Sequence, residues 1–231
     1  MDLPQVLVAC FAPSLAWLGL FSLRGEPRSS AGLPHLLLAF GGGLLAGPAS
    51  VLLFRALGQV AFYGGFAGLD QLPDLVKLAV SVAGIGFVEE AAKCLICLAI
   101  LRAEEVRGAP PTRAIALGIA VSLGFATIEN WYAMAIDGEA SLARAVVHPV
   151  VHVLFSGLWA VALGVAQTGR SARLLVVTGL ALAVVAHGLY DYALLADTVS
   201  DLWILPLAFG LWVFLSIGLE EVRSLSRPRA S

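Results

Sequence analysis

The sequence predicts an all-α, polytopic transmembrane helix bundle of about seven spans, and three observations carry that prediction. Of its 231 residues 59% are hydrophobic and only 13% are charged, and the mean hydropathy is +0.91, values outside the range of ordinary soluble domains. Apolar runs long enough to cross a bilayer, about 20 residues each, follow one another along the whole chain. Few ionisable residues interrupt them. The formal charge of −2 and the lack of any basic patch interleaved with aromatics exclude a nucleic-acid partner.

In order, the runs are Leu3 to Leu23, Leu33 to Phe54, Leu75 to Leu101, Thr112 to Ile136, Leu142 to Gln167, Ala172 to Ala196, and Leu202 to Leu219. The first lacks a basic flank, begins after Asp2 and is too long for a signal-peptide core, so it reads as an uncleaved first helix. The second contains GGGLLAG, Gly41 to Gly47, where small residues allow close helix packing. The stretch 55–74, rich in glycine and aromatics, reads as an interfacial or re-entrant segment. Cys94 and Cys97 form a C-x-x-C inside an apolar helix, where filling a helix interface is a more natural task than redox or zinc chemistry. No internal repeat appears, and residues 1–231 read as one membrane-embedded domain.

Basic residues set the orientation. Arg24, Arg28, Arg102, Arg107, Arg113, Arg170, Arg173, Arg223, Arg227 and Arg229 fall on one side of a seven-span arrangement, against Arg55, Lys77 and Arg144 on the other. The second side also carries Asp137, Glu139, Asp197 and Asp201. This bias predicts an external N-terminus and a cytoplasmic C-terminus, and the Ala-, Leu-, Val- and Arg-rich composition suggests a bacterial inner membrane. Arg144 lies near the outer interface, where snorkelling explains it.

The informative residues are the ionisable ones deep within spans: Glu89, Glu90, Lys93, Glu129, His148, His152, His187 and Asp191. A charge at the helix centre costs about 2.5–3.5 kcal/mol, so five such groups facing lipid would cost on the order of 15 kcal/mol. They are therefore expected to face one another around a hydrated cavity. Glu89 and Lys93, Phe125 and Glu129, His148 and His152, and His187 and Asp191 are each four residues apart, so each pair shares a helix face. At about 1.5 Å per residue the groups lie roughly 8 to 21 Å below the outer ends of their spans. That range lies between the outer interface and the midplane, and carboxylates and imidazoles gathered there are groups that can activate water. His148, followed by Pro149 near the outer end of its helix, is expected to be interfacial, and Lys93 to neutralise a glutamate.

In these residues the sequence resembles the PrsW family of intramembrane proteases, within the larger group that includes the CAAX prenyl endopeptidases and their bacterial relatives. Four motifs occur in order: EEAAK, Glu89 to Lys93, for E-E-x-x-K; FATIEN, Phe125 to Asn130, for F-x-x-x-E-N; His152 in HVLFSG; and HGLYD, His187 to Asp191, for H-x-x-x-D. The motif core covers residues 84–192. The resemblance implies an endopeptidase that uses activated water on membrane-anchored proteins or peptides within the bilayer. It makes Glu89 the first choice of base and Glu90 the second. Glu129, His152, His187 and Asp191 would position the water, bind a metal or meet the oxyanion, and Asn130 offers an amide donor. His152, His187 and Asp191 form a reasonable zinc set, although no H-E-x-x-H is present, and hydrolysis by glutamate and histidine without metal stays open. From the residues alone, a proton- or cation-coupled transporter and a non-catalytic membrane scaffold are the competing readings.

Overall fold

The computed structural model describes residues 2–24, 32–61, 72–103, 110–135, 141–167, 172–196 and 201–226. These residues are helical almost throughout, with no strand among them. The elements are α1 (Leu3–Arg24), α2 (Leu33–Ala61), α3 (Asp74–Ala79), a π-helical segment (Val80–Gly86), α4 (Phe87–Ala103), α5 (Thr112–Ala135), α6 (Leu142–Ala166), α7 (Ala172–Leu195) and α8 (Ile204–Ser226), the last entered through a 3-10 turn at Asp201–Trp203. Six of them, α1, α2, α5, α6, α7 and α8, are long and apolar enough to cross a membrane. The chain is an integral membrane protein of the all-α class.

The run expected from Leu75 to Leu101 is the continuous stretch α3, π segment and α4, distinguished by Glu89, Glu90 and Lys93 in its second half. The stretch 55–74 divides differently from the expectation. Helix α2 continues to Ala61, residues 62–71 lie outside the described residues, and α3 begins at Asp74. Arg28, Arg107, Asp137, Glu139, Arg170, Asp197, Arg227 and Arg229, which entered the orientation argument, also lie outside them.

Helices α5 and α6 are the most enclosed and α8 the most exposed. Around the central pair, α2 packs on α5 and α4, α1 on α5 and α6, and α7 on α6 and the π segment. Trp159, Phe125 and Phe155 are fully buried there, and Cys94 and Cys97 are buried thiols within the apolar core, not joined in a disulfide, Cys97 Sγ lying 3.8 Å from the Ala114 carbonyl to which it donates. Large apolar side chains on α8, among them Leu205, Phe209 and Trp212, stay exposed, as suits a helix whose outer solvent is lipid.

Two glycine crossings fix the spacing of the helices that matter. A Cβ on Gly43 of α2 would overlap the Val121 carbonyl of α5, and one on Gly124 of α5 would overlap the Phe40 carbonyl of α2. The two backbones therefore touch reciprocally, and packing is what GGGLLAG is for at this position. In the same way a Cβ on Gly86 would lie 2.6 Å from the Val184 carbonyl, and one on Gly188 would meet the backbone of Val82. That contact locks the π segment against α7 immediately before Glu89 and immediately after His187. At the other end of α3, Lys77 donates to the Leu195 carbonyl at 3.3 Å, capping α7.

Overpacking the first crossing tests this arrangement. Gly43→Leu and Gly124→Leu should each destabilise the detergent-solubilised protein by about 1–3 kcal/mol or prevent folding. Gly41→Leu, at a glycine with open space around it, should leave the thermal unfolding midpoint close to that of the parent; equal effects at all three positions would contradict the crossing.

Candidate active site

Glu89 and Glu90 are neighbours in the first turn of α4, so their side chains leave the axis about 100° apart. That angle separates their surroundings. Glu90 is fully buried and accepts four hydrogen bonds: Oε1 from Lys93 Nζ at 2.9 Å and from His187 Nδ1 at 3.0 Å, Oε2 from Ser156 Oγ at 2.8 Å and from Trp159 Nε1 at 2.9 Å. The donors come from α4, α6 and α7. Glu89, also buried, has Oε2 3.7 Å from Lys93 Nζ and 3.6 Å from His187 Nε2, with no hydrogen-bond partner on that oxygen.

Lys93 is enclosed on all sides. Its ammonium lies between the two glutamates, 4.0 Å above the Phe125 ring centroid and 2.8 Å from His152 Nδ1. Phe125 thus gives the fully buried cation an aromatic face, one turn before Glu129 on α5.

On α6, His148, His152, Ser156 and Trp159 follow at intervals of four, four and three residues and share one face. His152 Nε2 is 2.9 Å from Glu129 Oε2 and 3.1 Å from His148 Nε2, which is itself 3.3 Å from Glu129 Oε2. His148 is therefore buried inside the cluster, not at the interface that its position near the helix start suggests. The turn from His148 to His152 aims both rings inward. Pro149 has a second effect, because it offers no N–H to the Ala145 carbonyl four residues earlier. Asn130 Nδ2 takes that place, donating to Ala145 O at 3.5 Å, so the Asn of F-x-x-x-E-N ties α5 to α6.

On α7, His187 gives Nδ1–H to Glu90 and turns Nε2 toward Glu89 and toward Asp191 Oδ2, each 3.6 Å away. Its ring stacks on Phe155 at 4.8 Å between centroids with a 17° interplanar angle. A ring held by a carboxylate on one nitrogen has its other nitrogen presented in a fixed direction. Asp191 Oδ2 is buried without a hydrogen-bond partner. Arg144, one turn before His148, has its Nε buried and likewise without one.

The nine residues given a catalytic or supporting role from the sequence, Glu89, Glu90, Lys93, Phe125, Glu129, Asn130, His152, His187 and Asp191, thus lie in or directly beside one connected cluster. Asn130 is at its edge, turned to the α6 backbone. Sequence reasoning missed Ser156, Trp159 and Phe155, and placed His148 elsewhere. For Ser156, Trp159 and His148 a signal was present, since they fall on the His152 face of α6 at helical spacing.

Two groups have metal-ligand composition, and they share His152: Glu89 with His152 and His187, and Glu129 with His148 and His152. Within each, the ligand atoms lie within 4.8 Å of one another. Asp191 belongs to neither group, though it flanks His187. Carboxylate and imidazole donors around buried oxygens without partners suit a divalent ion such as zinc. Lys93 Nζ is within donor distance of His152 Nδ1, and with that nitrogen accepting, His152 Nε2–H is the one that donates to Glu129 Oε2.

Residues 31–219 match the sequence profile described as PrsW family intramembrane metalloprotease. The chain is similar to Protease PrsW of Shouchella clausii, 27% identical over 226 residues that cover 96% of this chain and 98% of the relative. It is also similar to Protease PrsW of Halalkalibacterium halodurans, 30% identical over 90% of this chain and 92% of that protein. Protease PrsW of Geobacillus kaustophilus matches over a shorter stretch, 30% identical across 52% of this chain and 54% of its own length. No solved structure matches. None of these similarities points to a transporter. The profile match spans most of the chain and contains every residue of the cluster, so this protein is a peptidase belonging to the PrsW family of intramembrane metalloproteases.

Proposed function

We propose that the protein cleaves membrane-anchored proteins or peptides from within the bilayer, with Glu89 as the base that activates water. The observation that carries this assignment is the contrast between adjacent glutamates. Glu90 spends both oxygens on four donors, whereas Glu89 keeps an oxygen without a hydrogen-bond partner 3.6 Å from His187 Nε2. A carboxylate with four donors has no lone pair to spare for water. Its task is to hold Lys93 and His187.

In this reading Glu89 takes a proton from water as the water oxygen bonds to the scissile carbonyl carbon. The C–N bond then breaks, and the proton passes to the departing amide nitrogen. His187, oriented by Glu90 and flanked by Asp191, fixes the water and steadies the charge that develops. Lys93 keeps the glutamates from repelling each other and presses on His152. Asn130 serves the α5–α6 contact rather than the oxyanion. An ion such as zinc, held by imidazoles and carboxylates of the cluster, would polarise the carbonyl and acidify the water. The bias of basic residues supports an external N-terminus and a cytoplasmic C-terminus, and the composition supports a bacterial inner membrane; in that orientation the cluster would lie in the outer half of the bilayer.

Two predictions separate the glutamates. With purified protein in liposomes containing a solubilised membrane-protein fraction, mass spectrometry should find new peptide termini with the parent protein. They should fall about 10²–10⁴-fold with Glu89→Gln, and undiminished cleavage by that variant would refute the base. Stability should respond in the opposite order. Glu90→Ala leaves the Lys93 charge without its closest partner and should cost about 3–5 kcal/mol, while Glu89→Gln should unfold within about 1 kcal/mol of the parent in a denaturant titration; the reverse ranking would refute the division of roles.

A further inference from the structure

We infer that Arg144 on α6 and the Tyr190 hydroxyl on α7 form a substrate-binding pair, donating hydrogen bonds to main-chain carbonyls of the segment to be cut. The inference rests on the protease reading, since it names what that site holds. Its starting point is where the cluster opens. The side chains of Glu129 and Asp191 are 25% and 18% exposed, whereas those of Glu89, Glu90, Lys93, His148, His152 and His187 are 7% exposed or less. A chain approaching the gap between Glu89 and His187 therefore meets Glu129 and Asp191 first.

Arg144 and Tyr190 stand at that mouth. Arg144 lies one turn before His148, about 40° round the helix from it, with its Nε buried, and its charge acts on both His148 and Tyr190. An arginine that only snorkelled would carry its guanidinium out to the interface. The Tyr190 ring packs against Phe155 at 5.5 Å between centroids, and the charges of Arg144, Asp191 and Glu129 all act on its hydroxyl.

What the two residues offer is donors, because the other donors of the cluster are spent on the protein itself. Lys93, Ser156, Trp159 and His187 Nδ1 serve Glu90, and Asn130 serves Ala145. His148 and His152 face Glu129. Arg144 Nε has no hydrogen-bond partner, and the Tyr190 hydroxyl makes no hydrogen bond among the described residues. A substrate needs such donors. A segment embedded in lipid keeps its amide groups paired within a helix, and opening that helix for attack by water leaves its carbonyls bare where burial is costly. The guanidinium, planar with five N–H groups, can serve two carbonyls at once. An acidic side chain fits less well, since Glu129 and Asp191 line the same mouth and would repel it, whereas a neutral carbonyl meets the cation without that opposition.

The test uses the full-length protein in liposomes and, as probe, a fluorescent synthetic peptide spanning the most frequent cut found among the new termini. Arg144→Gln should raise KM by about 10–100-fold, and Tyr190→Phe, which keeps the ring against Phe155, by about 3–10-fold, each with kcat within about twofold of the parent. In a Glu89→Gln background, where turnover is suppressed, peptide affinity measured by anisotropy should fall by the same factors. Arg144→Lys keeps the charge but not the planar fork and should recover only part of the loss. An arginine that merely balances Glu129 and Asp191 predicts the contrary, with Arg144→Lys and Tyr190→Phe both matching the parent; that outcome overturns the inference, as does a fall in kcat at unchanged KM. Should Arg144→Gln fail to fold, Tyr190→Phe decides. A parent that cleaves nothing refutes the protease reading and this inference with it, whereas a parent that cleaves while both variants bind the peptide equally well refutes this inference alone.

Discussion

The structure depends on one carboxylate. Glu90 gathers the Lys93 ammonium, the His187 ring, the Ser156 hydroxyl and the Trp159 indole, and through them α4, α6 and α7 meet at a fully buried point. Phe125 adds α5 by lying under the same ammonium. A buried carboxylate is tolerable only when its lone pairs are filled by donors in good geometry, and here they are. Removing any donor opens a deficit that nothing nearby can repair, so the arrangement specifies which faces of four helices turn inward.

The rest of the site follows from that anchorage. His187 has one nitrogen committed to Glu90 and therefore presents the other toward Glu89 and Asp191. Lys93 touches both glutamates and His152, linking the α4 end of the cluster to the Glu129–His148–His152 end. The glycine contacts of Gly86 and Gly188 keep the π segment and α7 in backbone contact, which brings the α4 glutamates within reach of His187. A π turn beside a functional cluster shifts the phase of the helix that follows, and here the residues that follow are the paired glutamates.

Much of this was legible in the sequence because lipid is a demanding solvent. Charges inside apolar runs must face inward, and spacing of four residues states which of them share a face. That argument reached the cluster and its four helices. It did not distinguish Glu89 from Glu90, because the difference lies in what α6 and α7 bring against each. Nor did it place His148: a histidine before Pro149 near a helix start reads as interfacial until α5 is seen to present Glu129 to it. Ser156 and Trp159 were legible only as positions on the His152 face, since a serine and a tryptophan in an apolar helix are common without a partner. The π segment in VSVAGIG has no periodicity that separates it from ordinary helix.

The most direct test of the central claim is a double-mutant cycle on unfolding free energy between Glu90 on α4 and Trp159 on α6, using Glu90→Gln, Trp159→Phe and the pair. A shared buried hydrogen bond to a charged group predicts a coupling energy of about 1.5–3 kcal/mol. Strictly additive effects would mean that the two side chains do not meet, and that the carboxylate does not organise the helices around it.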